Sequence, residues 1–400
     1  MPDKVRLGVI GCGGISRSHV QGYRRLKQGG CQEFEVTVCC DNNEEVARQR
    51  AEEIACFQPR RPVVVTEWEK VASSGLVDGV DICLPHFLHH PVAISFLKSG
   101  IHVLMEKPLG ITLKAARLMV ETARKKKMVL ASAENVRRYL PARATAWALT
   151  RAGLIGQIRM VTVAHLSYGP FDYENPAMKW RGVKLLVGGG MIMDSGAHFA
   201  DMMLYLFGQP EEISCTMLTS DRRVIKGLPV LGEAPADVED AWHAVIKYPR
   251  GPLVTWTYSR SLIGEPLVVG LYHGSEGTAR DRSFVFHCFQ AGGDIQLQDG
   301  QKISAEEQQA RYLLQLTEEE KQRLFPYGCT DGFAVEVWDF VDAISKGRSP
   351  EIDGESGIQA MAFCEACFES ATAGKPVSYH DVLHGRIETY QAPINAFWKI

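Results

Sequence analysis

The opening run KVRLGVIGCGGIS, residues 4–16, constrains the fold more than any other feature of the chain. An apolar strand-like segment ends in a glycine cluster and continues as a helical pattern, and the same alternation then repeats. VRLGVI, FEVTVCC, PVVVT, GVDICL, HVLME and MVLASA read as successive strands. Residues 16–27, 44–55, 91–99 and 112–126 carry helical spacing between them, with Thr112 placed as an N-cap. Short apolar strands alternating with amphipathic helices predict βαβ units and a parallel sheet. A doubly wound nucleotide-binding domain is therefore expected over residues 1–135.

The pattern changes after Pro141. Segments 158–165, 211–218, 239–248, 253–259, 267–273 and 283–289 alternate like strands without regular crossover helices, which predicts a largely antiparallel sheet. Residues 227–237, rich in Gly and Pro, read as a loop, and helical spacing returns at 331–346 and 355–373. The expected fold is an α/β N-terminal Rossmann domain followed by an α+β domain with a large, mainly antiparallel open sheet. The second domain, residues 136–400, is expected to bind substrate and, through the sheet face its own helices leave uncovered, to form a homo-oligomer, a dimer or tetramer.

Four hundred residues suffice for two domains, and the net charge of −3 gives no electrostatic reason to expect nucleic acid or an anionic membrane as partner. The eleven cysteines are odd in number and sit mostly in apolar runs, as Cys39, Cys40 and Cys83 do. They read as reduced core thiols of a cytoplasmic protein, and the lone Cys364-x-x-Cys367 as helix packing. No apolar run reaches the length of a membrane span, so neither export nor insertion is expected.

In Gly11-Cys12-Gly13-Gly14-Ile15-Ser16 the missing Cβ atoms let the backbone turn tightly and approach a pyrophosphate, and the following helix aims its N–H groups at the phosphates. The third glycine of the usual pattern is Ser16, yet the strand before and the helix after supply the required context. Asp41, at the end of the second strand, suits an adenosine ribose diol and would repel a 2′-phosphate. Asn42 and Asn43 follow it, which favours NAD over NADP. Carboxyl ends of parallel strands line the ligand crevice, placing Pro85, His89, Glu106 and Lys107 at its edge. The Lys107 ammonium would stabilise an alkoxide-like transition state. His86, His89 and His90 are expected to line the cofactor crevice or to cap a helix starting near Pro91.

The second chemical signal is GGGMIMDSGAHFAD, residues 188–201. Asp194 and His198, four apart, share one face of a helix. A carboxylate that orients an imidazole and stabilises its protonated form makes His198 a general base, and Asp201 lies one turn further on. Gly188 to Gly190 are expected to let the backbone pass close to cofactor or substrate. The spacing of Asp194, His198 and Asp201 also admits zinc, but the lysine makes a metal redundant, and none is expected. Tyr168, Trp180 and Arg181, in a stretch mixing rings with hydrogen-bonding groups, are candidate substrate contacts. Rings stack on the C–H faces of sugars while polar groups read hydroxyls, so a sugar, glycoside or cyclic polyol is the expected ligand. A loop packed by its own aromatics is the alternative.

GCGGIS, Pro85 with His89, the Glu106-Lys107-Pro108 motif, NVRRYLP, the Asp194-x-x-x-His198 segment and FAVEVWDFVDAISKGRSPEIDGESG together resemble the glucose-fructose oxidoreductase, inositol dehydrogenase and rhizopine catabolism family of NAD(P)-dependent oxidoreductases. The resemblance covers nearly the whole chain. It implies that Lys107, Asp194 and His198 surround the substrate hydroxyl and the nicotinamide, and that the protein oxidises a CH–OH group. His86 departs from the family's usual asparagine. Two other functions stay open on the sequence: a glycosidase that uses tightly held NAD for transient oxidation, and a non-catalytic nucleotide-sensing regulator.

Overall fold

A computed structural model describes residues 4–283 and 286–400. Two compact units emerge, and the division does not follow chain order. The first holds residues up to Gly110, Ala115–Tyr139 and Leu316–Gly357; the second holds Ile111–Lys114, Leu140–Gln315 and Ile358–Ile400.

The first unit is built on β1 (Val5–Ile10), β2 (Phe34–Cys40), β3 (Val63–Val65), β4 (Gly79–Ile82), β5 (His102–Glu106) and β6 (Leu130–Ala133), in the order β3-β2-β1-β4-β5-β6. Every pairing is parallel. This is the doubly wound dinucleotide-binding order, with its switch point between β1 and β4. The helices are α1 (Ser16–Gln28), α2 (Glu44–Ala55), α3 (Trp68–Ser73), α4 (His86–Lys98) and α5 (Leu113–Lys126). Central strands buried on both faces must be apolar throughout, which is why VRLGVI and FEVTVCC were legible as strands.

Two details depart from expectation. Helix α4 begins at His86, five residues before the expected start, and carries Pro91 inside it. The ring removes one N–H from the helical ladder without ending the helix. The unit also recruits a helix from far down the chain, Gly332–Lys346, which packs on α1. Close approach is possible there because Gly22 lies against the backbone of Phe333 and Ala334, where a Cβ would stand 2.9–3.0 Å from backbone atoms.

In the second unit, β7 (Ile158–Leu166), β8 (Glu212–Leu218), β9 (Val224–Leu228), β10 (Gly232–Pro235), β11 (Ala241–Lys247), β12 (Leu253–Ser259), β13 (Leu267–Gly274), β14 (Gly277–Asp281), β15 (Gly293–Leu297), β16 (Lys302–Ile303) and β17 (Val377–Ser378) form two sheets. The large one runs β16-β15-β14-β13-β7-β12-β11-β8-β17. It is antiparallel except where β12 pairs with β7 in parallel, so the open sheet is mixed. One face is a core of Val161, Val163, Trp242, Ile246, Val254, Trp256, Tyr258 and Tyr272, all buried. The alternate residues, among them Met160, Val245, Leu253, Leu267 and Val269, are only partly covered or exposed.

The Gly/Pro-rich stretch expected as a loop is a hairpin, β9 and β10, turning at residues 229–231. Only Pro229 falls in the turn; Gly227 lies in β9, and Gly232 and Pro235 lie in β10. The strand expected at 283–289 is not formed by the described residues of that segment, and residues 284–285 lie outside them. Phe286, Cys288 and Phe289 are buried in turns instead, Phe286 5.0 Å from the Tyr258 ring. Among the described residues no helix is long and apolar enough to cross a membrane.

Candidate active site

In the first unit the glycine cluster lies between the end of β1 and α1. Gly11 has φ +89°, and a side chain there would strike the carbonyl of Cys83. Gly13 and Gly14 differ: an added Cβ would meet nothing within 4 Å, so the loop leaves open ground in front of the α1 N-terminus. That cradle fits a pyrophosphate. Ile15 precedes the first helical residue and is 38% exposed. Asp41 Oδ2 accepts the Cys12 N–H at 2.8 Å, and Oδ1 accepts the Asn43 N–H at 2.9 Å. Behind the loop, the buried Arg50 donates Nη2 to the carbonyls of Cys12 (3.1 Å) and Gly13 (3.3 Å). Arg50 carries no local mark in the sequence, since it lies on α2, nine positions beyond Asp41.

The ends of β4, β5 and β6 carry the first unit's other candidate residues. Pro85 is the N-cap of α4, and Lys107 is half-buried immediately after the last residue of β5. His86 and His89 are both buried, with ring centroids 5.4 Å apart. His89 was expected to line the crevice or cap a helix; its ring sits between two loops. Nδ1 lies 2.8 Å from the Pro108 carbonyl and Nε2 2.8 Å from that of Leu84. Burial pushes His89 below the ordinary imidazole value, and a neutral ring can donate to only one of the two carbonyls. Glu106 is buried and accepts from His19. Glu134, just past β6, is a further buried carboxyl. Burial drives it up to about 8 and Glu106 adds to the rise, while the charges of Lys107, Arg137 and Arg138 pull it down. The strand-end rule that flagged Glu106 would have found Glu134 as well.

The second unit carries the Asp194-x-x-x-His198 segment. Asp194 ends a short helix, Met191–Asp194, and His198 lies in the next, Gly196–Phe207. Ser195 between them keeps right-handed helical angles, φ −96° and ψ −24°, so the i, i+4 relation survives the break. His198 is buried, its ring edge-on to His287 at 5.2 Å. His287 carried no signal in the sequence, since its segment read as a strand. Asp194 Oδ2 accepts from Arg181 Nε at 3.3 Å. The Arg181 guanidinium also lies over the Trp180 ring, 4.4 Å from its centroid. Trp180, Arg181 and Asp194 thus come together. Tyr168 does not join them: 61% exposed, it lines a cavity of about 280 Å³ with Phe171, Tyr173, Arg223 and Arg260, among whose lining residues neither Asp194 nor His198 appears.

The three glycines before Asp194 serve a different purpose from the one expected. Side chains at Gly188, Gly189 and Gly190 would collide with the Ile111 carbonyl, the Phe368 ring and Glu239 respectively. They bring the backbone against the protein's own core. Glu239, buried, accepts the N–H groups of Gly190 and Ile192, each at 2.8 Å, and so fixes the turn that aims Asp194. Burial outweighs those bonds and pushes its carboxyl up to about 7.

Two family models match this chain. One, an oxidoreductase-family NAD-binding Rossmann fold, matches residues 5–134. The other, the C-terminal alpha/beta domain of the same family, matches residues 149–379. Levoglucosan dehydrogenase of Pseudarthrobacter phenanthrenivorans is 26% identical over 69% of this chain and 73% of its own length. The 1,5-anhydro-D-fructose reductase of Ensifer adhaerens is 25% identical over 92% and 97%. A solved structure of levoglucosan dehydrogenase in complex with NADH and levoglucosan superposes with a TM-score of 0.73 at 23% identity, covering 94% of this chain and 99% of that one. With both models matched in order and the motif residues in place, the chain belongs to the glucose-fructose oxidoreductase, inositol dehydrogenase and rhizopine catabolism family of NAD(P)-dependent oxidoreductases.

Proposed function

We propose that the protein oxidises a secondary hydroxyl of a sugar, glycoside or cyclic polyol to a ketone, with NAD as the preferred cofactor. The observation that carries the proposal is the grouping of Trp180, Arg181 and Asp194 one helical turn from the buried His198. It sets an aromatic ring and a guanidinium beside an acid and a base, the set needed to hold a polyol and remove one proton. The names of similar proteins point the same way, D-glucoside 3-dehydrogenase of Escherichia coli among them.

Each residue has a role that follows from its chemistry. Gly13, Gly14 and the α1 N-terminus hold the cofactor's pyrophosphate, and Asp41 accepts from the adenosine ribose and disfavours a 2′-phosphate. A bound nicotinamide would supply the acceptor for the carbinol hydride. His198 removes the hydroxyl proton, and Asp194 favours the protonated imidazole that results. Lys107 stabilises the oxygen as negative charge grows on it, and in the reverse direction returns polarisation to the carbonyl. Trp180 and Arg181 orient the substrate, while His89 holds the loop after Lys107. The uncovered sheet face, with Met160, Leu253, Leu267 and Val269, pairs with a second copy of the chain.

The test is absorbance at 340 nm with NAD and a panel of free sugars, inositols and glycosides. A rise is expected for at least one substrate, with His198→Ala and Lys107→Ala each reducing kcat by about 10² or more, the ordinary scale for losing a general base or an oxyanion donor. Full turnover by Lys107→Ala with unchanged NAD affinity would defeat the mechanism. Release of free sugar without net NADH would replace it with redox-assisted glycoside cleavage.

A further inference from the structure

The first unit contains a buried charge cluster that includes Glu106. His19, in the first turn of α1, is fully buried. Its Nδ1 is 3.0 Å from Asp81 Oδ2, on β4, and its Nε2 is 3.0 Å from Glu106 Oε1, at the end of β5. The Tyr23 hydroxyl donates to the same Asp81 oxygen at 2.6 Å, and the Cys83 thiol lies 3.6 Å from Asp81 Oδ1. From the helix Gly332–Lys346, Glu336 places Oε1 3.8 Å from His19 Nε2, and neither Glu336 oxygen has a hydrogen-bond partner.

We propose that His19 is a positioning residue, an imidazolium shared between Asp81 and Glu106 that locks the cofactor-loop helix to the strand end bearing Lys107. An ionised carboxylate only accepts, so a contact at each ring nitrogen places a proton on both. Burial alone would lower His19, but the charge of Asp81 and the hydrogen bonds to Asp81 and Glu106 outweigh it and hold the ring well above its ordinary value. Glu336 is pushed well above the carboxylate range by burial, against the pull of His19 and Arg138, and serves as a neutral acid. The cluster then holds one cation between two carboxylates, and Glu106 is fixed in orientation. Because Glu106 adjoins Lys107, His19 acts on the lysine through the backbone and the local field, without touching substrate.

A metal ion is the competing occupant. One ligand atom each from His19, Asp81 and Cys83 lies within 4.8 Å of the others. One observation weighs against it: Asp81 Oδ2 already accepts from both His19 and Tyr23.

The decisive measurement is the proton count on His19 in the wild-type protein. In 15N-histidine-labelled protein the ring of His19, assigned through its contact with the Phe333 ring, is expected to show two N–H groups unchanged from about pH 6 to 9, across the ordinary imidazole range. A singly protonated or titrating ring, or one equivalent of zinc in the purified protein by elemental analysis, overturns the proposal. The functional arm rests on the role of Lys107 given above. His19→Gln, which supplies a neutral donor to one carboxylate only, is expected to lower kcat about tenfold, the scale of one charge-assisted hydrogen bond, and to shift the pH–rate profile. Wild-type kcat and an unshifted profile in this variant would refute the positioning role. If His19→Gln does not fold, the wild-type ring protons still decide. Failure of the lysine reading is separable, since Lys107→Ala could retain turnover while the His19 ring keeps both protons.

Discussion

In the proposed function Asp41 holds both the glycine loop and the cofactor's ribose, and the substitution Asp41→Asn separates the two roles. Its two oxygens each accept one backbone N–H, from Cys12 at 2.8 Å and from Asn43 at 2.9 Å. A carboxylate offers about four acceptor directions, so two remain for a ribose diol. Asparagine keeps one oxygen; its NH2 group must face either an N–H or a ribose hydroxyl, and the negative charge is gone. Losing a hydrogen bond to a charged acceptor costs about 1.5–3 kcal/mol, which at 1.4 kcal/mol per decade corresponds to a Kd for NAD raised roughly 10- to 150-fold. NADP should respond in the opposite sense, because the carboxylate that repels its 2′-phosphate has been neutralised. The glycine loop should survive, since Arg50 still holds the carbonyls of Cys12 and Gly13. Fluorescence titration with NADH and NADPH measures both constants, and a thermal melt checks the fold. An NAD affinity within threefold of wild type, or equal weakening of both cofactors, would show that Asp41 serves only the loop.

Two further outcomes follow from buried groups and from the uncovered sheet. Glu134, raised from 4.5 to about 8, binds a proton in the folded state that the unfolded chain releases. Its contribution to stability is fully present below the unfolded value and is lost as pH rises through the folded one, so unfolding free energy should decline between about pH 4.5 and 8 by on the order of a few kcal/mol. Denaturant melts of Glu134→Gln should show a flatter decline, with Glu239 keeping its own share of the same window; an unchanged slope would place the ionisation elsewhere. Val269→Lys, on the open face of β13, should convert an oligomer to a smaller species in sedimentation velocity with activity per folded chain judged separately. Wild-type protein that sediments as a monomer would refute the pairing of sheet faces.

What could be read from the sequence was whatever a single local pattern reports. The first sheet was legible because a strand buried on both faces is a continuous apolar run, and the strand-end rule then marked Glu106, Lys107 and Pro85 without knowledge of packing. Errors arose where one local signal has two structural causes. Pro91 read as a helix boundary but sits inside α4, and the Gly/Pro-rich stretch read as a loop but is a hairpin whose strands hold Gly227, Gly232 and Pro235. The apolar segment around Phe286 read as a strand because burial without periodicity does not distinguish a strand from a packed turn. The glycines before Asp194 are similar: sequence can say that no side chain fits there, but not whether Phe368 or a ligand fills the space. Nor could chain order reveal that the helix Gly332–Lys346 belongs with the first unit.

The residues that escaped notice act through tertiary partners, yet one of them had a local mark. His19, Tyr23 and Leu26 lie at i, i+4 and i+7 on α1, all buried. That spacing defines the apolar stripe of a helix packed on a sheet, and a histidine at its first position must be satisfied from the strands or helices it faces. Asp81, the one carboxylate within the buried strand GVDI, poses the complementary problem, a charge that burial alone would make costly. Each residue is anomalous on its own and ordinary beside the other. Polar residues at positions where periodicity demands apolar ones can therefore be sought in pairs of opposite character, which would have brought His19 and Asp81 together before the fold was known, and Glu106, already marked at its strand end, with them.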